Sequence, residues 1–202
     1  MKIKICGMMR PEDIGYVNIA KPDYIGFIFA KNRKRTVTKQ QATEMKALLS
    51  PDIQAVGVFL DNDIDEVIDI ADSGTVDLIQ LHGSEDEEYV NALRTAIPAD
   101  MPIIKAFSIK TQEDIDNAFA FPADFILLDN GIGGTGEAFS WELIDGGLHE
   151  KVFLAGGVNT DNIADAIRLS PYCIDVSSGA ETDGVKDKEK ILALINAVRS
   201  AY

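Results

Sequence analysis

The chain alternates between short apolar runs and longer amphipathic stretches, and this alternation predicts its secondary structure. The apolar runs are nearly continuous, which is typical of parallel strands covered on both faces. We therefore predict one buried strand for each run. The predicted strands span residues 2–6, 24–29, 53–59, 78–81, 103–107, 125–128, 152–155 and 173–176.

The stretches between these runs carry helix signals. Pro11 stands where a first turn would begin, and Thr38, Thr111 and Asp187 precede helical patterns as predicted N-caps. Asp114 follows Thr111 at the spacing of a near capping box. Helices are predicted over residues 38–49, 64–71, 159–169 and 188–201, with further helix starts at residues 10–13, 84–87, 111–112 and 139–141.

The regular order of strands and helices predicts the fold class. Strands recur roughly every 20–30 residues, which is the length of one β–α step. Eight such units predict an α/β fold of the (β/α)8 TIM-barrel type. No linker or low-complexity stretch interrupts the pattern, so we predict a single domain over residues 1–202.

Charge and cysteine content narrow the partners and the compartment. The formal net charge of −14 disfavours nucleic acid and anionic membranes as partners. The two cysteines, Cys6 and Cys173, are too few for a disulfide framework, and the first residues do not read as a signal peptide, so we predict a cytoplasmic protein. No run approaches the ~20 apolar residues of a membrane span. The two histidines lack metal-binding spacing, so we expect no metal site.

Polar and charged residues gather where the predicted strands end. In a (β/α)8 barrel the chemistry lies at the carboxyl ends of the strands, so these residues are candidates for catalysis or for contact with a substrate. Arg35 closes a basic loop, which is either solvated or binds a substrate carboxylate through a forked contact. The candidates are Cys6, Arg35, Gln80, His82, Asp129, Asp175 and Glu181.

Two short turns after the seventh and eighth strands are predicted to bind phosphate. They contain Gly156-Gly157 and Ser178-Gly179. Glycines let the backbone approach an anion closely, and barrels often bind phosphate with these two loops. The alternative is that the glycines only form tight turns with positive φ. The presence of both pairs at neighbouring strand ends favours phosphate binding.

Cys6 and Asp129 each allow a structural and a chemical interpretation. A cytosolic cysteine is most often a small buried hydrophobe, and an aspartate after a strand often orders a loop. At a strand mouth, a thiol whose pKa is lowered by a nearby cation can act as a base. A partly desolvated carboxyl group can act as an acid. Cys173 begins its strand at the opposite end and is predicted to be structural. Gln80 and His82 could instead order their loop.

A glycine-rich segment follows the sixth strand. Gly131, Gly133 and Gly136 match GxGxxG, the fingerprint of dinucleotide binding. In that fingerprint the next strand ends in an acid, whereas here it ends in Gly156-Gly157. We therefore interpret the segment as a flexible lid over the barrel mouth.

Ordered blocks along nearly the whole chain resemble one family. A single block would be a weak signal, but the set in this order is specific. The chain resembles phosphoribosylanthranilate isomerase, a barrel enzyme of tryptophan biosynthesis. The main blocks are Lys4-Ile5-Cys6-Gly7, Gly26-Phe27-Ile28-Phe29, Val56-Gly57-Val58-Phe59, Gln80-Leu81-His82-Gly83, Leu128-Asp129, Gly133-Gly134-Thr135-Gly136, Leu154-Ala155-Gly156-Gly157 and Asp175-Val176-Ser177-Ser178-Gly179.

The resemblance implies an activity and roles for individual residues. It implies an Amadori rearrangement of the phosphosugar N-(5-phosphoribosyl)anthranilate to 1-(o-carboxyphenylamino)-1-deoxyribulose 5-phosphate, without cofactor or metal. Cys6 corresponds to the family's general base, Asp129 to its general acid and Arg35 to its contact with the anthranilate carboxylate. The family's phosphate contacts correspond to Gly156, Gly157, Ser178 and Gly179.

Other functions stay open at this point. Indole-glycerol-phosphate synthase needs a catalytic lysine, and Lys105 in the fifth strand supplies that residue type. A pentose-phosphate epimerase would need acids and histidines around a metal. A non-catalytic phosphate-binding barrel would need neither Cys6 nor Asp129. The related isomerase of histidine synthesis would need an aspartate in place of Cys6.

Overall fold

Eight parallel strands close into a barrel in the computed structural model, which describes residues 1–129, 141, 148 and 150–201. Each strand pairs with the next one in sequence, and β8 returns to pair with β1, where Ile5 lies beside Val176. The predicted (β/α)8 barrel is confirmed. The strands are β1 (Lys2–Cys6), β2 (Tyr24–Ile28), β3 (Gln54–Phe59), β4 (Leu78–Leu81), β5 (Ile103–Ser108), β6 (Phe125–Asp129), β7 (Val152–Leu154) and β8 (Cys173–Val176).

Helices connect most of the strands. None of the described helices is long and apolar enough to cross a membrane. The helix predicted to begin at residues 139–141 falls almost entirely outside the described residues. The helices within the described ranges are α1 (Pro11–Ala20), α2 (Lys39–Leu48), α3 (Ile64–Asp72), α4 (Glu87–Ala96), α5 (Gln112–Ala120), α6 (Ile163–Arg168) and α7 (Lys188–Ser200).

The predicted N-caps of three helices are confirmed. The side chain of Thr38 accepts a hydrogen bond from the backbone of Gln41, and Thr111 forms a capping box with Asp114. Asp187 accepts from two backbone N–H groups at the start of α7. These caps satisfy backbone donors that have no partner inside the helix, and each contributes about 1 kcal/mol.

Helix α6 begins later than the sequence pattern predicts. Its first residue is Ile163, and the prediction of a helix from Asn159 was wrong at that end. The side chain of Asn162 accepts from the backbone of Asn159 and donates to the carbonyl of Gly157, and Asn159 accepts from the backbone of Asp161. These short-range hydrogen bonds compete with the helical ones, so the first turn forms a loop instead.

A two-stranded hairpin follows β8, and the sequence analysis did not predict it. Strand β9 (Glu181–Thr182) pairs antiparallel with β10 (Val185–Lys186). Asp183 and Gly184 make the turn, and both have positive φ, at 51° and 80°. An Asp-Gly pair is a typical sequence for such a turn. The hairpin places Glu181 and Lys186 beside the end of β8.

The inside of the barrel changes character along its axis. At the amino-terminal end of the strands, which we call the floor, the rings of Tyr24, Phe125, Phe153 and Tyr172 pack together at centroid distances of 4.9–5.6 Å. At the carboxyl end, which we call the mouth, polar side chains replace them. On β1 alternate residues take opposite sides, so Ile3 and Ile5 join the cluster that contains helix residues, whereas Cys6 belongs to the interior cluster.

Candidate active site

A cavity of about 760 Å³ opens at the mouth of the barrel. Its lining comes from the ends of several strands, as expected for a site built from the β–α loops. Of the predicted site residues, Glu181 and Gly179 do not line this cavity. The predicted residues that do line it are Cys6, Arg35, Gln80, His82, Asp129, Gly156, Gly157, Asp175 and Ser178.

Cys6 ends β1 with its thiol at the cavity. A Cβ atom at Gly26 on the neighbouring strand would lie 2.7 Å from the Cys6 Sγ, so only glycine leaves room for the thiol there. Burial raises the pKa of the Cys6 thiol, and the ammonium groups of Lys4 and Lys186 offset only part of that rise. Two ammonium groups thus act on the thiol, but they do not overcome the effect of burial on its pKa.

Lys4 is fully buried inside the barrel and was not among the predicted site residues. Its Nζ donates to Gln80 Oε1 at 2.7 Å and to Asp175 Oδ2 at 2.9 Å. Burial lowers the pKa of Lys4, but Asp175 and Cys6 raise it by more than burial lowers it. The net shift of the pKa is therefore upward, and the ammonium stays charged. Lys4 and Cys6 alternate with isoleucines along β1, and this alternation was the signal that could have identified Lys4 as an inward-facing residue.

Asp175 on β8 uses one carboxylate oxygen, Oδ2, to accept a hydrogen bond from Lys4. Its Oδ1 is buried and has no hydrogen-bond partner among the described residues. A buried acceptor without a partner costs free energy, commonly about 1–3 kcal/mol. Asp175 also lines the cavity, so its carboxyl group lies next to the space open to a ligand.

Asp129 and His82 face each other across the mouth. Asp129 ends β6, and its Oδ2 lies 3.4 Å from His82 Nε2. The other ring nitrogen of His82, Nδ1, lies 2.9 Å from Gln80 Nε2. Around the ring of strands, β7 and β8 separate Asp129 from Cys6. A carboxyl group and a thiol thus approach one cavity from different sides, which suits proton transfer at two atoms of one substrate.

Arg35 is held by Glu181 rather than by solvent. Arg35 Nε donates to Glu181 Oε1 at 2.6 Å and Nη2 donates to Oε2 at 2.7 Å, while Lys186 Nζ donates to Oε1 at 2.7 Å. Burial would raise the pKa of Glu181, but the hydrogen bond from Arg35 and the charge of Lys186 lower it to about 2. Among the described residues, Arg35 Nη1 has no hydrogen-bond partner. Gly7, at φ 87°, makes room for the arginine, since a Cβ there would lie 2.6 Å from Arg35 Cδ.

The glycines predicted to cradle phosphate lie where β7 and β8 end. Gly156 and Gly157 have positive φ, at 87° and 73°. A Cβ at Gly179 would lie 2.0 Å from the carbonyl oxygen of Val158, so the two loops touch there. A second cavity of about 270 Å³ adjoins them, lined partly by Gly157, Ser178 and Gly179. The turns thus require glycine by themselves, and phosphate binding stays a prediction.

Two further expectations concern metals and the lid. Within the described ranges, no cluster of three or more His, Cys, Asp or Glu side chains could hold a metal ion. The glycine-rich segment at residues 131–136, interpreted as a lid, lies outside the described residues.

Comparison with known proteins identifies the family. The family model of N-(5'-phosphoribosyl)anthranilate isomerase matches residues 3–197. An isomerase of that name from Endomicrobium trichonymphae is 46% identical over 204 residues, covering 98% of each chain. The chain belongs to this family. The resemblance inferred from the sequence is confirmed, and with it the prediction of an isomerase of tryptophan biosynthesis.

Solved structures of phosphoribosylanthranilate isomerases share the barrel over its whole length. The crystal structure of the Thermus thermophilus protein is 31% identical, with a TM-score of 0.85 and full coverage of both chains. Another family structure, in complex with reduced 1-(o-carboxyphenylamino)-1-deoxyribulose 5-phosphate, is 29% identical with a TM-score of 0.84 over 99% of each chain.

The position of Lys105 argues against the alternative that this protein is an indole-glycerol-phosphate synthase. Lys105 is buried, and its Nζ donates to the carbonyl of Gly83 at 2.6 Å and to Glu85 Oε2 at 3.1 Å. It does not line the cavity at the mouth. Lys105 therefore fixes the loop after β4 and has no access to a substrate in this arrangement.

Proposed function

We propose that this phosphoribosylanthranilate isomerase family member converts N-(5'-phosphoribosyl)anthranilate to 1-(o-carboxyphenylamino)-1-deoxyribulose 5-phosphate, with Asp129 as general acid and Cys6 as general base. The observation that carries the proposal is that both side chains line one cavity in a chain of this family. The cavity volume of about 760 Å³ is ample for a phosphosugar with an aromatic ring.

In the first step Asp129 protonates the furanose ring oxygen of the substrate. The bond between C1 and that oxygen breaks, and the nitrogen lone pair forms the C=N bond of a Schiff base. The proton of Asp129 must pass to the substrate and not to water. Closure of the mouth over the substrate would exclude water and strengthen this transfer.

In the second step the Cys6 thiolate removes the proton from C2. The electrons of that bond form the C1–C2 double bond of an enolamine, and the electrons of the C=N bond return to nitrogen. The enolamine then takes a proton at C1 and loses the hydroxyl proton at C2, which gives the ketone. The charges of Lys4 and Lys186 support this role, because they oppose the rise in the Cys6 pKa that burial causes.

The remaining predicted contacts divide between the two ends of the substrate. We assign the phosphate to the turns with Gly156-Gly157 and Ser178-Gly179, and the anthranilate carboxylate to the Nη1 side of Arg35. Glu181 holds that guanidinium in place. We assign Asp175 to a ribose hydroxyl group, because Asp175 lines the cavity and one of its carboxylate oxygens has no partner in the described part of the chain.

Location, partners and domain organisation complete the proposal. We propose a cytoplasmic enzyme, since both cysteines are free thiols in the structure. The acidic net charge supports the absence of a nucleic-acid partner. Residues 1–202 are proposed to form one domain, because the barrel takes its first strand at Lys2 and its last described helix ends at Ser200.

The proposal is tested by direct assay. Purified protein should consume phosphoribosylanthranilate, seen as loss of the substrate's fluorescence. Asp129→Asn keeps the size of the side chain but has no proton to donate, so kcat should fall by about 10²–10⁴-fold, the usual worth of a general acid. Near wild-type turnover in a folded Asp129→Asn protein would reject Asp129 as the acid. No turnover by the wild-type protein would reject the activity.

A further inference from the structure

A chain of polar contacts runs from the buried Lys4 to the proposed acid. Lys4 Nζ lies 2.7 Å from Gln80 Oε1, and Gln80 Nε2 lies 2.9 Å from His82 Nδ1. His82 Nε2 then lies 3.4 Å from Asp129 Oδ2. Gln80 is 1% exposed, so water does not replace either of its contacts. Its two polar ends are both used inside the protein, which makes Gln80 a link between Lys4 and His82.

The chemistry of Lys4 fixes the donor and the acceptor in each of these polar contacts. An ammonium group has three donors and no acceptor. The amide of Gln80 must therefore turn its oxygen toward Lys4, because the reverse orientation would place two donors 2.7 Å apart. The second partner of Lys4, Asp175 at 2.9 Å, holds the ammonium in the position that imposes this choice.

The orientation of Gln80 in turn fixes the proton on His82. Its amide nitrogen is only a donor, so His82 Nδ1 must accept. A neutral imidazole carries a single ring proton, and that proton must then be on Nε2. Nε2 is the atom that faces Asp129. The tautomer at the mouth is thus decided by a lysine two links away.

We propose that Lys4 and Gln80 are positioning residues for the reaction, which hold His82 in the Nε2–H tautomer with its N–H directed at Asp129. The proposal rests on the proposed role of Asp129 as the acid. With the proton on Nε2, His82 donates toward the carboxylate that forms when Asp129 protonates the ring oxygen. With the opposite tautomer, the Nε2 lone pair would accept the proton of Asp129 and divert it from the substrate.

The length of the last contact fits this role. At 3.4 Å the His82–Asp129 separation is longer than an ordinary N–H···O hydrogen bond. Catalytic hydrogen bonds are often long before substrate binds and shorten in the reacting complex. The donor is therefore most useful after the proton has left Asp129, when the new negative charge attracts it.

The tautomer can be read directly by NMR. The chain contains two histidines, so protein labelled with ¹⁵N-histidine gives two sets of ring signals, and His82→Asn identifies the set that belongs to His82. Spectra are recorded as pH is raised until the shifts stop changing, so that the ring is neutral. We expect the wild-type signals of a protonated Nε2 and an unprotonated Nδ1. A protonated Nδ1 in the neutral ring would overturn the proposal.

Gln80→Glu is the matched variant, because it keeps the shape of the side chain and replaces its donor by an acceptor. One carboxylate oxygen stays with Lys4, and the other faces His82 Nδ1, which must now carry the proton. We expect the tautomer to reverse and kcat to fall about tenfold, which is less than the roughly 10²–10⁴-fold that a general acid itself contributes. Gln80→Met, which removes both polar ends, should give a mixture of tautomers and a smaller loss.

The outcomes separate this inference from the proposed function. An unchanged tautomer in Gln80→Glu, or a reversed tautomer with unchanged kcat, would overturn the positioning role. The NMR result needs no turnover, so it stands or falls independently of the substrate. Failure of the proposed function would instead appear as an inactive wild-type protein, or as an active Asp129→Asn variant, whatever the spectra show.

Discussion

The floor and the mouth of the barrel are built from the same strands and yet have opposite chemistry. At the floor, Lys2 places its ammonium group over the ring of Tyr24, and its Nζ donates to the hydroxyl of Tyr24 at 3.0 Å. At the mouth, Cys6, Asp129 and Asp175 line an open cavity. Within the described residues, side chains fill the barrel at the floor, whereas a cavity remains at the mouth. Stability and chemistry are thereby assigned to opposite ends of one set of strands.

The two cysteines offer the sharpest test of this division. Both are free, buried thiols, but Cys6 lines the cavity and Cys173 belongs to the floor end of β8. Cys6→Ser should lower kcat by about 10²–10⁴-fold, because a hydroxyl is a far weaker base than a thiolate. Steady-state kinetics should show Cys173→Ser within a few-fold of wild type. Equal losses in the two variants would end the distinction between floor and mouth.

The floor should respond in stability where the mouth responds in rate. Phe153 is fully buried among aromatic rings, so Phe153→Ala should lower the free energy of unfolding by about 3–5 kcal/mol. Chemical denaturation measures this loss, and turnover of the remaining folded protein should be close to wild type. Phe119, which is 40% exposed, is the matched control and should lose much less on truncation. A selective loss of kcat in Phe153→Ala would contradict the comparison.

A smaller and pH-dependent effect is expected at the edge of the mouth. The pKa of Glu181 is lowered from 4.5 to about 2 in the folded protein, since Arg35 and Lys186 outweigh the effect of burial. As pH falls, Glu181 therefore takes up a proton in the unfolded chain before it does so in the folded protein. The stability that the Glu181 carboxylate contributes is present above pH 4.5 and is lost as pH falls toward about 2. Denaturation curves of Glu181→Gln should show a weaker dependence on pH in that window than wild type. An identical slope would show that the carboxylate is not coupled to folding.

The barrel and the place of its site were predictable from the sequence, because both follow from local patterns. Continuous apolar runs indicate buried parallel strands, and the end of each run gives the mouth. Cys6 and Asp129 were found in this way. The late start of α6 was missed because hydrogen bonds of Asn159 and Asn162 outcompete a helical turn. The hairpin after β8 was also missed, although the pair Asp183-Gly184 is a typical hairpin turn.

Contacts between distant parts of the chain were not predictable. Arg35 and Glu181 are 146 positions apart, and nothing near either residue indicates the other. The same holds for Lys4 and Asp175, which are 171 positions apart. A charged residue in an apolar run has a partner somewhere, but only the closed fold shows which one it is. Sequence patterns therefore located the candidate site, and the structure supplied the contacts between its residues.

The pairing of β8 with β1 has a consequence for how the protein acquires its activity. Those strands begin at Lys2 and Cys173, so the contact that closes the ring joins nearly the two ends of the described chain. Contacts at such sequence separation are slow to form, because a long loop must be ordered before they stabilise anything. During synthesis, Cys6 emerges long before β8, and one edge of its strand stays unpaired until β8 is complete. Enzyme activity in a refolding experiment should therefore appear together with ring closure and lag behind the formation of helices.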